Sequence, residues 1–287
     1  VNPWIAGARP RTLPAAVVPV AVGLAVASGS DGVRWWLGVP ALVVSLALQV
    51  GVNFANDYSD GIRGTDDSRV GPLRLVGSGL VAPQKVKRAA LASFAVAAIA
   101  GLGIAVATSL WLLLVGAAAI AAAWFYTGGK HPYGYLGLGE VFVFVFFGVV
   151  ATVGSTFAVA EELPSLAWLA SVPVGCLACA LLVVNNLRDI PTDSVSGKKT
   201  LAVRLGDART RSFYGLLCLA AAVFVVLCGV QRPAAVTGLL GLAAIGGAWK
   251  VVRGGAVGRD LIAVLGTTGK AQMLFAVTFS IGLFVGA

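Results

Sequence analysis

Histidine is nearly absent from this 287-residue chain, with His131 alone. That excludes any metal centre built on two or more histidines. Charge is scarce as well: charged residues make up 11% of the chain, less than half of the roughly 25% usual in soluble domains. The deficit excludes a disordered chain, a nucleic-acid-binding domain and an ordinary soluble enzyme, although 21 Lys and Arg outnumber 12 Asp and Glu. Walker A, G-x-G-x-x-G and H-E-x-x-H patterns are missing. The four cysteines, Cys176, Cys179, Cys218 and Cys228, all fall inside apolar stretches, so no secreted disulfide framework is implied. Cys176 and Cys179 form a C-x-x-C in the middle of an expected helix and read as small apolar packing rather than a redox pair.

What the chain has in abundance is apolar length. Hydrophobic residues reach 58% and the mean hydropathy is +0.91. A bilayer core about 30 Å thick takes about 20 helical residues to cross, and nine stretches qualify: 12–28, 36–56, 89–107, 109–126, 138–158, 164–187, 212–230, 234–251 and 270–286. The first has no small-residue cleavage site leading into a polar domain, and Pro14 and Pro19 interrupt it, so it reads as a span and not a signal peptide. The third and fourth meet at Thr108–Ser109. Merging them requires a helix of 38 residues, so two antiparallel spans are expected. With the N-terminus inside, nineteen Lys and Arg fall in inside segments and only Arg34 and Arg232 fall outside, a strong positive-inside signal. The inside segments 57–88 and 188–211 are long and every outside loop is short, so the working surface is expected to face the cytoplasm.

The carboxylates gather where those two long segments begin. Asp57, Asp60, Asp66 and Asp67 open the first, Asp189 and Asp193 open the second, and Glu140 starts the fifth span. Asn53, Asn56/Asp57 and Asp60 recur at i, i+3/i+4, i+7, and Asn185, Asp189 and Asp193 at i, i+4, i+8, so each set lines one helix face. Like charges at a membrane boundary repel and lose hydration, and a divalent cation offsets both. Oxygen-only donors suit Mg²⁺ that shares its shell with phosphate oxygens, and Arg74, Lys130, Lys198 and Lys199 are placed to hold the rest of a diphosphate. One such cluster is explained equally well by a solvated helix end. Two matched clusters favour a metal–diphosphate site. Their equivalent placement also suggests an internal duplication, with halves at about 1–126 and 127–251 and an extra span at 270–286, within one domain of 287 residues.

N-D-Y-S-D-G-I-R-G-T-D (56–66) and R-D-I-P-T-D (188–193) resemble the two aspartate-rich motifs of the UbiA superfamily of intramembrane prenyltransferases. Further segments resemble its 1,4-dihydroxy-2-naphthoate polyprenyltransferase branch, which serves menaquinone synthesis: A-R-P-R-T-L-P (8–14), G-P-L-R-L-V (71–76), Y-T-G-G-K-H-P-Y-G-Y-L-G-L-G-E (126–140), N-N-L-R-D-I-P-T-D (185–193) and G-K-K-T-L-A-V-R-L-G (197–206). The resemblance implies an all-α, polytopic membrane protein with nine helices around a central cavity, capped by the two long cytoplasmic loops. It implies Mg²⁺-dependent transfer of a prenyl chain from polyprenyl diphosphate to 1,4-dihydroxy-2-naphthoate with loss of CO₂, at a bacterial plasma membrane. The metal ligands would be Asp57, Asp60, Asp66, Asp189 and Asp193. Asn53, Asn56, Arg74, Asn185, Asn186, Arg188 and Lys198 would bind diphosphate or substrate. Tyr126 and Lys130 match the family's Tyr-x-x-x-Lys element, in which the lysine binds diphosphate.

Ionisation of a prenyl diphosphate leaves an allylic cation, which calls for a dry site with aromatic faces. Trp124, Phe125, Tyr126, Phe142, Phe144, Phe146 and Phe147 supply rings near the right depth, and each is equally readable as lipid-facing. Glu140 reads either as a contact or base for the acceptor or as a helix N-terminal carboxylate. Two other functions compete: a sister enzyme with another aromatic acceptor, such as 4-hydroxybenzoate or homogentisate, and an ion-coupled secondary transporter. Transporters place ionisable groups near the midplane. Clustering at one face disfavours transport.

Overall fold

A computed structural model describes residues 2–64 and 73–287, and every regular element among them is helical. In chain order these are α1 (Pro3–Ala8), α2 (Pro14–Ala27), α3 (Gly38–Ile62), α4 (Pro83–Ala107), α5 (Leu112–Phe125), α6 (Gly139–Val143), α7 (Ala151–Ala160), α8 (Ser165–Val195), α9 (Leu201–Leu205), α10 (Asp207–Gln231), α11 (Gly238–Ala243), α12 (Ile245–Arg253) and α13 (Asp260–Val285). Six helices are long and apolar enough to cross a membrane, the run Gly139–Ala160 counting as one. Two bent pairs, Pro3–Thr12 with Pro14–Ala27 (48°) and Pro233–Ala243 with Ile245–Arg253 (46°), raise the number to as many as eight; α5 is a shorter apolar helix. The chain is a multi-pass membrane protein.

Local chemistry explains these boundaries. Pro14 and Pro83 open α2 and α4 at positions where a missing N–H costs nothing. Thr108 ends α4 in a non-helical conformation (φ −126°), so the chain turns at Thr108–Ser109 as the sequence suggested. Helices outrun their apolar stretches at the motif end. α3 continues to Ile62 and α8 to Val195, so the sets at 53–60 and 185–193 lie on helix, as their spacing predicted, past the apolar stretches 36–56 and 164–187.

α8, 31 residues long and buried along most of its length, is the centre of the bundle. It packs on α10, on α13 and on the π-helical stretch Phe144–Val150 that joins α6 to α7. The last contact is very close: a Cβ added at Gly148 would lie 2.5 Å from the Gly175 Cα, so backbone meets backbone there. Cys176 and Cys179 are buried in this core with free thiols. Outward faces are apolar instead of polar, with Ile99 and Val106 on α4 and Leu219, Val226 and Val230 on α10 exposed, as lipid contact requires.

Arg34 and Arg232 sit at the end remote from the motifs and cap helix C-termini. Arg34 donates to the Ala107 carbonyl and pairs with Glu161. Arg232 donates to the carbonyls of Ala25, Val26 and Leu283. A cation at a helix C-terminus is favourable, and burial lowers the Arg232 pKa from its ordinary value.

Candidate active site

One cavity of about 800 Å³ runs into the bundle from the motif end. Its mouth is polar, walled by Asp60 and Asn56 from α3, Arg74, Asn185, Asn186, Arg188, Asp189 and Asp193 from α8, and Lys198. Its depth is apolar, lined by Ala41 and Val44 of α3, Ile104 of α4, Leu112 and Val115 of α5, and Ala158 of α7.

At the mouth, the Asp60 and Asp189 carboxylates are met by cations and donors. Asp60 Oδ2 lies 3.1 Å from Lys198 Nζ and 3.7 Å from Arg74 Nη2, while its Oδ1 accepts from the Tyr135 hydroxyl at 2.7 Å. Arg188 grips Asp189 in a fork, Nε to Oδ1 at 2.7 Å and Nη2 to Oδ2 at 2.8 Å, and Nη2 also donates to Asn185 Oδ1. Arg188 Nη1 is buried and finds no acceptor among the described residues. No cluster of three or more metal-ligating side chains is preassembled among them.

The donor set, carboxylate and amide oxygens with cations interleaved, fits Mg²⁺ sharing its shell with a diphosphate and not an all-protein cage. The orphaned Arg188 N–H suits an incoming oxyanion.

An aromatic ladder climbs one wall. Tyr126 meets Tyr133 edge-on (5.5 Å, 73°), Tyr133 stacks on Phe142 (3.9 Å, 22°), and Phe142 stacks on Phe146 (6.1 Å, 19°). All four line the cavity, with Phe147 beside them. Tyr133 donates its hydroxyl to the Ala122 carbonyl, and burial raises its pKa above the ordinary phenol range, so it stays a neutral donor. The other rings lie elsewhere. Phe125 is exposed, Trp124 stacks with Tyr58, and Phe144 packs on Gly175.

Several expected residues are placed differently. Asp57 is fully buried off the cavity, accepting the main-chain N–H groups of Leu75 (2.8 Å) and Val76 (2.9 Å). At 100° per residue it points about 60° round the helix from Asp60, so it anchors the 75–79 turn instead of facing a metal. Gly61 makes room for that turn, since a Cβ there would meet Val76 at 2.4 Å. Lys130 is exposed and does not wall the cavity. Its loop is fixed by Arg63, whose guanidinium donates to the Thr127 and Gly129 carbonyls. Glu140 is buried behind the wall. Its Oε1 accepts from Asn186 Nδ2 at 2.9 Å, and its main-chain oxygen accepts from the Cys179 thiol. It therefore reaches the cavity only through Asn186. Asn53 and Asn56 do line the cavity, as expected; Asn53 also donates to the Ala8 carbonyl (2.9 Å) and the Thr12 hydroxyl (3.0 Å), tying α3 to the entrance turn that carries Arg9. Asn56 accepts from Thr127. Asp66 lies outside the described residues. The sequence reading missed Tyr133, Tyr135 and Arg63. Both tyrosines stand in the quoted Pro-Tyr-Gly-Tyr segment, but nothing local says that a 3₁₀ turn at Tyr133–Leu136 aims them at the mouth.

The model of the UbiA prenyltransferase family matches residues 16–285. A relative from Mycobacterium tuberculosis, 1,4-dihydroxy-2-naphthoate octaprenyltransferase, is 50% identical over 284 residues, covering 99% of this chain and 97% of its own. The Escherichia coli protein of the same name is 37% identical over 238 residues, covering 78% and 75%. Among solved structures, a UbiA homologue from Archaeoglobus fulgidus bound to GPP and Mg²⁺ superposes with a TM-score of 0.70 at 15% identity, covering 98% of this chain and 99% of its own. The chain belongs to the UbiA prenyltransferase family.

Proposed function

We propose that this protein transfers a polyprenyl group from polyprenyl diphosphate to 1,4-dihydroxy-2-naphthoate, with loss of the carboxylate as CO₂, giving demethylmenaquinone in its reduced, quinol form. The observation that carries the reading is a cavity with a charged, oxygen-rich mouth and an aromatic, apolar interior. The acceptor follows from 50% identity along almost the whole chain to the mycobacterial naphthoate octaprenyltransferase.

Asp60, Asp189 and Asp193 would hold Mg²⁺, with Asp66 as a further candidate ligand, and the bound ion would supply Lewis-acid charge to the diphosphate leaving group. Arg74, Arg188 and Lys198 hold the phosphate oxygens as charge develops on them. The prenyl tail lies in the apolar depth, where water is excluded. Tyr126, Tyr133, Phe142 and Phe146 line the reacting carbon's path, and their ring faces stabilise the allylic cation. A ring carbon of the electron-rich acceptor forms a bond to that allylic carbon as diphosphate leaves, and the same ring carbon then loses its carboxylate as CO₂, whose C–C bonding pair restores the aromatic ring. Glu140 acts through Asn186, holding that amide at the cavity wall.

The nine spans, the cytoplasmic site, the inside N-terminus and the outside C-terminus at a bacterial plasma membrane belong to the same proposal. They rest on the nineteen-to-two charge asymmetry. The two-half organisation rests on the motifs closing α3 and α8, the second span of each half.

Purified protein with Mg²⁺ and a long prenyl diphosphate should prenylate 1,4-dihydroxy-2-naphthoate, stop on addition of EDTA and resume with Mg²⁺. 4-Hydroxybenzoate, whose single ring leaves part of the pocket unfilled, should turn over far more slowly. Equal or faster turnover of 4-hydroxybenzoate moves the protein to the sister class.

A further inference from the structure

Asp60 is approached from three segments distant in sequence, and Tyr135 is the residue that organises them. The Tyr135 hydroxyl donates to Asp60 Oδ1 at 2.7 Å. Its ring carries Lys198 Nζ 4.7 Å from the centroid, and the Arg63 guanidinium 5.4 Å from it. Its main-chain oxygen accepts from the Lys199 N–H at 3.0 Å. Hydroxyl, ring and backbone are thus each engaged, and the side chain lines the cavity.

The two oxygens of Asp60 are divided by this arrangement. Oδ1 faces the phenol, a short charge-assisted contact. Oδ2 faces the cations, with Lys198 at 3.1 Å and Arg74 at 3.7 Å. A carboxylate held at one oxygen has its plane oriented, so the other oxygen stays turned toward a cation. Lys198 occupies the position that a divalent ion would contest. Its ammonium is a point charge on a flexible stem, and the aromatic ring gives it a second seat beside Asp60.

We propose that Tyr135 is a positioning residue of the metal–diphosphate site. Its hydroxyl fixes Asp60 so that Oδ2 is offered to a divalent cation. Its ring keeps the Lys198 ammonium within reach of the diphosphate once that cation displaces it from Asp60. The assignment rests on the functional reading above.

The test uses the full chain in detergent. Binding of a prenyl thiodiphosphate, which ionises too slowly to react, is followed by calorimetry across a Mg²⁺ titration, and turnover is measured across the same titration. Tyr135→Phe keeps the ring and loses the hydroxyl. Its Mg²⁺ midpoint should rise about tenfold in both measurements, as loss of a hydrogen bond to a charged group would give. The KM for prenyl diphosphate at saturating Mg²⁺ should stay within about twofold of the parent. Tyr135→Leu removes ring and hydroxyl and should raise both quantities. Lys198→Gln supplies an arm that leaves Tyr135 intact: the Mg²⁺ midpoint should fall, because the competitor for Oδ2 is gone, while the KM for prenyl diphosphate rises. Melting temperatures in the same detergent identify any variant that has lost its fold. A folded Tyr135→Phe protein with an unmoved midpoint, or a Lys198→Gln protein whose midpoint rises, overturns the assignment alone. A parent protein that takes up no thiodiphosphate at any Mg²⁺ concentration overturns the functional reading and this assignment together.

Discussion

At the scale of single residues, the aspartates divide into two kinds that the sequence presents as one. Asp60, Asp189 and Asp193 wall the cavity mouth, whereas Asp57 accepts two buried main-chain N–H groups. Asp60→Ala, Asp189→Ala and Asp193→Ala are therefore expected to fold and to lose about 100-fold or more in kcat/KM, the scale at which electrostatic stabilisation is lost; steady-state kinetics at saturating Mg²⁺ checks this. Asp57→Ala is expected to act on stability, costing on the order of 2 kcal/mol because two donors lose a charged acceptor. A lowered melting temperature in detergent, with residual activity in the folded fraction, distinguishes it from the other three. Lys130→Ala is expected to keep turnover within about twofold of the parent, as an exposed side chain away from the cavity would. The i, i+3/i+4, i+7 spacing placed Asp57 and Asp60 together at the motif end of α3. It could not say which side of the helix the 75–79 turn would cover, because that turn is brought in by chain contacts 18 and 19 residues away.

Among elements, the bundle depends on α8 and the π-helical stretch Phe144–Val150 meeting backbone to backbone at Gly148 and Gly175. Gly148→Val places atoms where the Gly175 backbone already stands, and overpacking of this kind typically costs about 1–3 kcal/mol. The same displacement would shift Phe146 and Phe147 on the cavity wall, so both melting temperature and kcat are expected to fall. An unchanged melting temperature would show that the two helices can separate without cost. The apolar runs made these elements legible: each of the nine stretches coincides with a helix or a bent helix pair. Helix ends were less legible, because hydropathy stops where the polar motif begins while hydrogen bonding continues. α3 and α8 run on through Ile62 and Val195 for that reason. The π-helical stretch gave no signal in composition, and it carries Phe146 and Phe147, which line the cavity.

For the whole molecule, polarity is sorted along the bundle axis. The aspartate motifs and most cations lie at one end, while Arg34 and Arg232 cap helix C-termini at the other. In intact cells, Ala287→Cys is expected to react with an impermeant maleimide, since the four native thiols lie buried or half-buried in the spans. Labelling only after lysis would reverse the orientation. The central claim is a decarboxylative prenyl transfer, and carboxyl-labelled 1,4-dihydroxy-2-naphthoate tests it most directly. With purified protein, Mg²⁺ and a long prenyl diphosphate, label should leave as CO₂ one for one with the diphosphate released, and neither should appear in EDTA. A prenylated product that keeps its labelled carboxylate would contradict the claim.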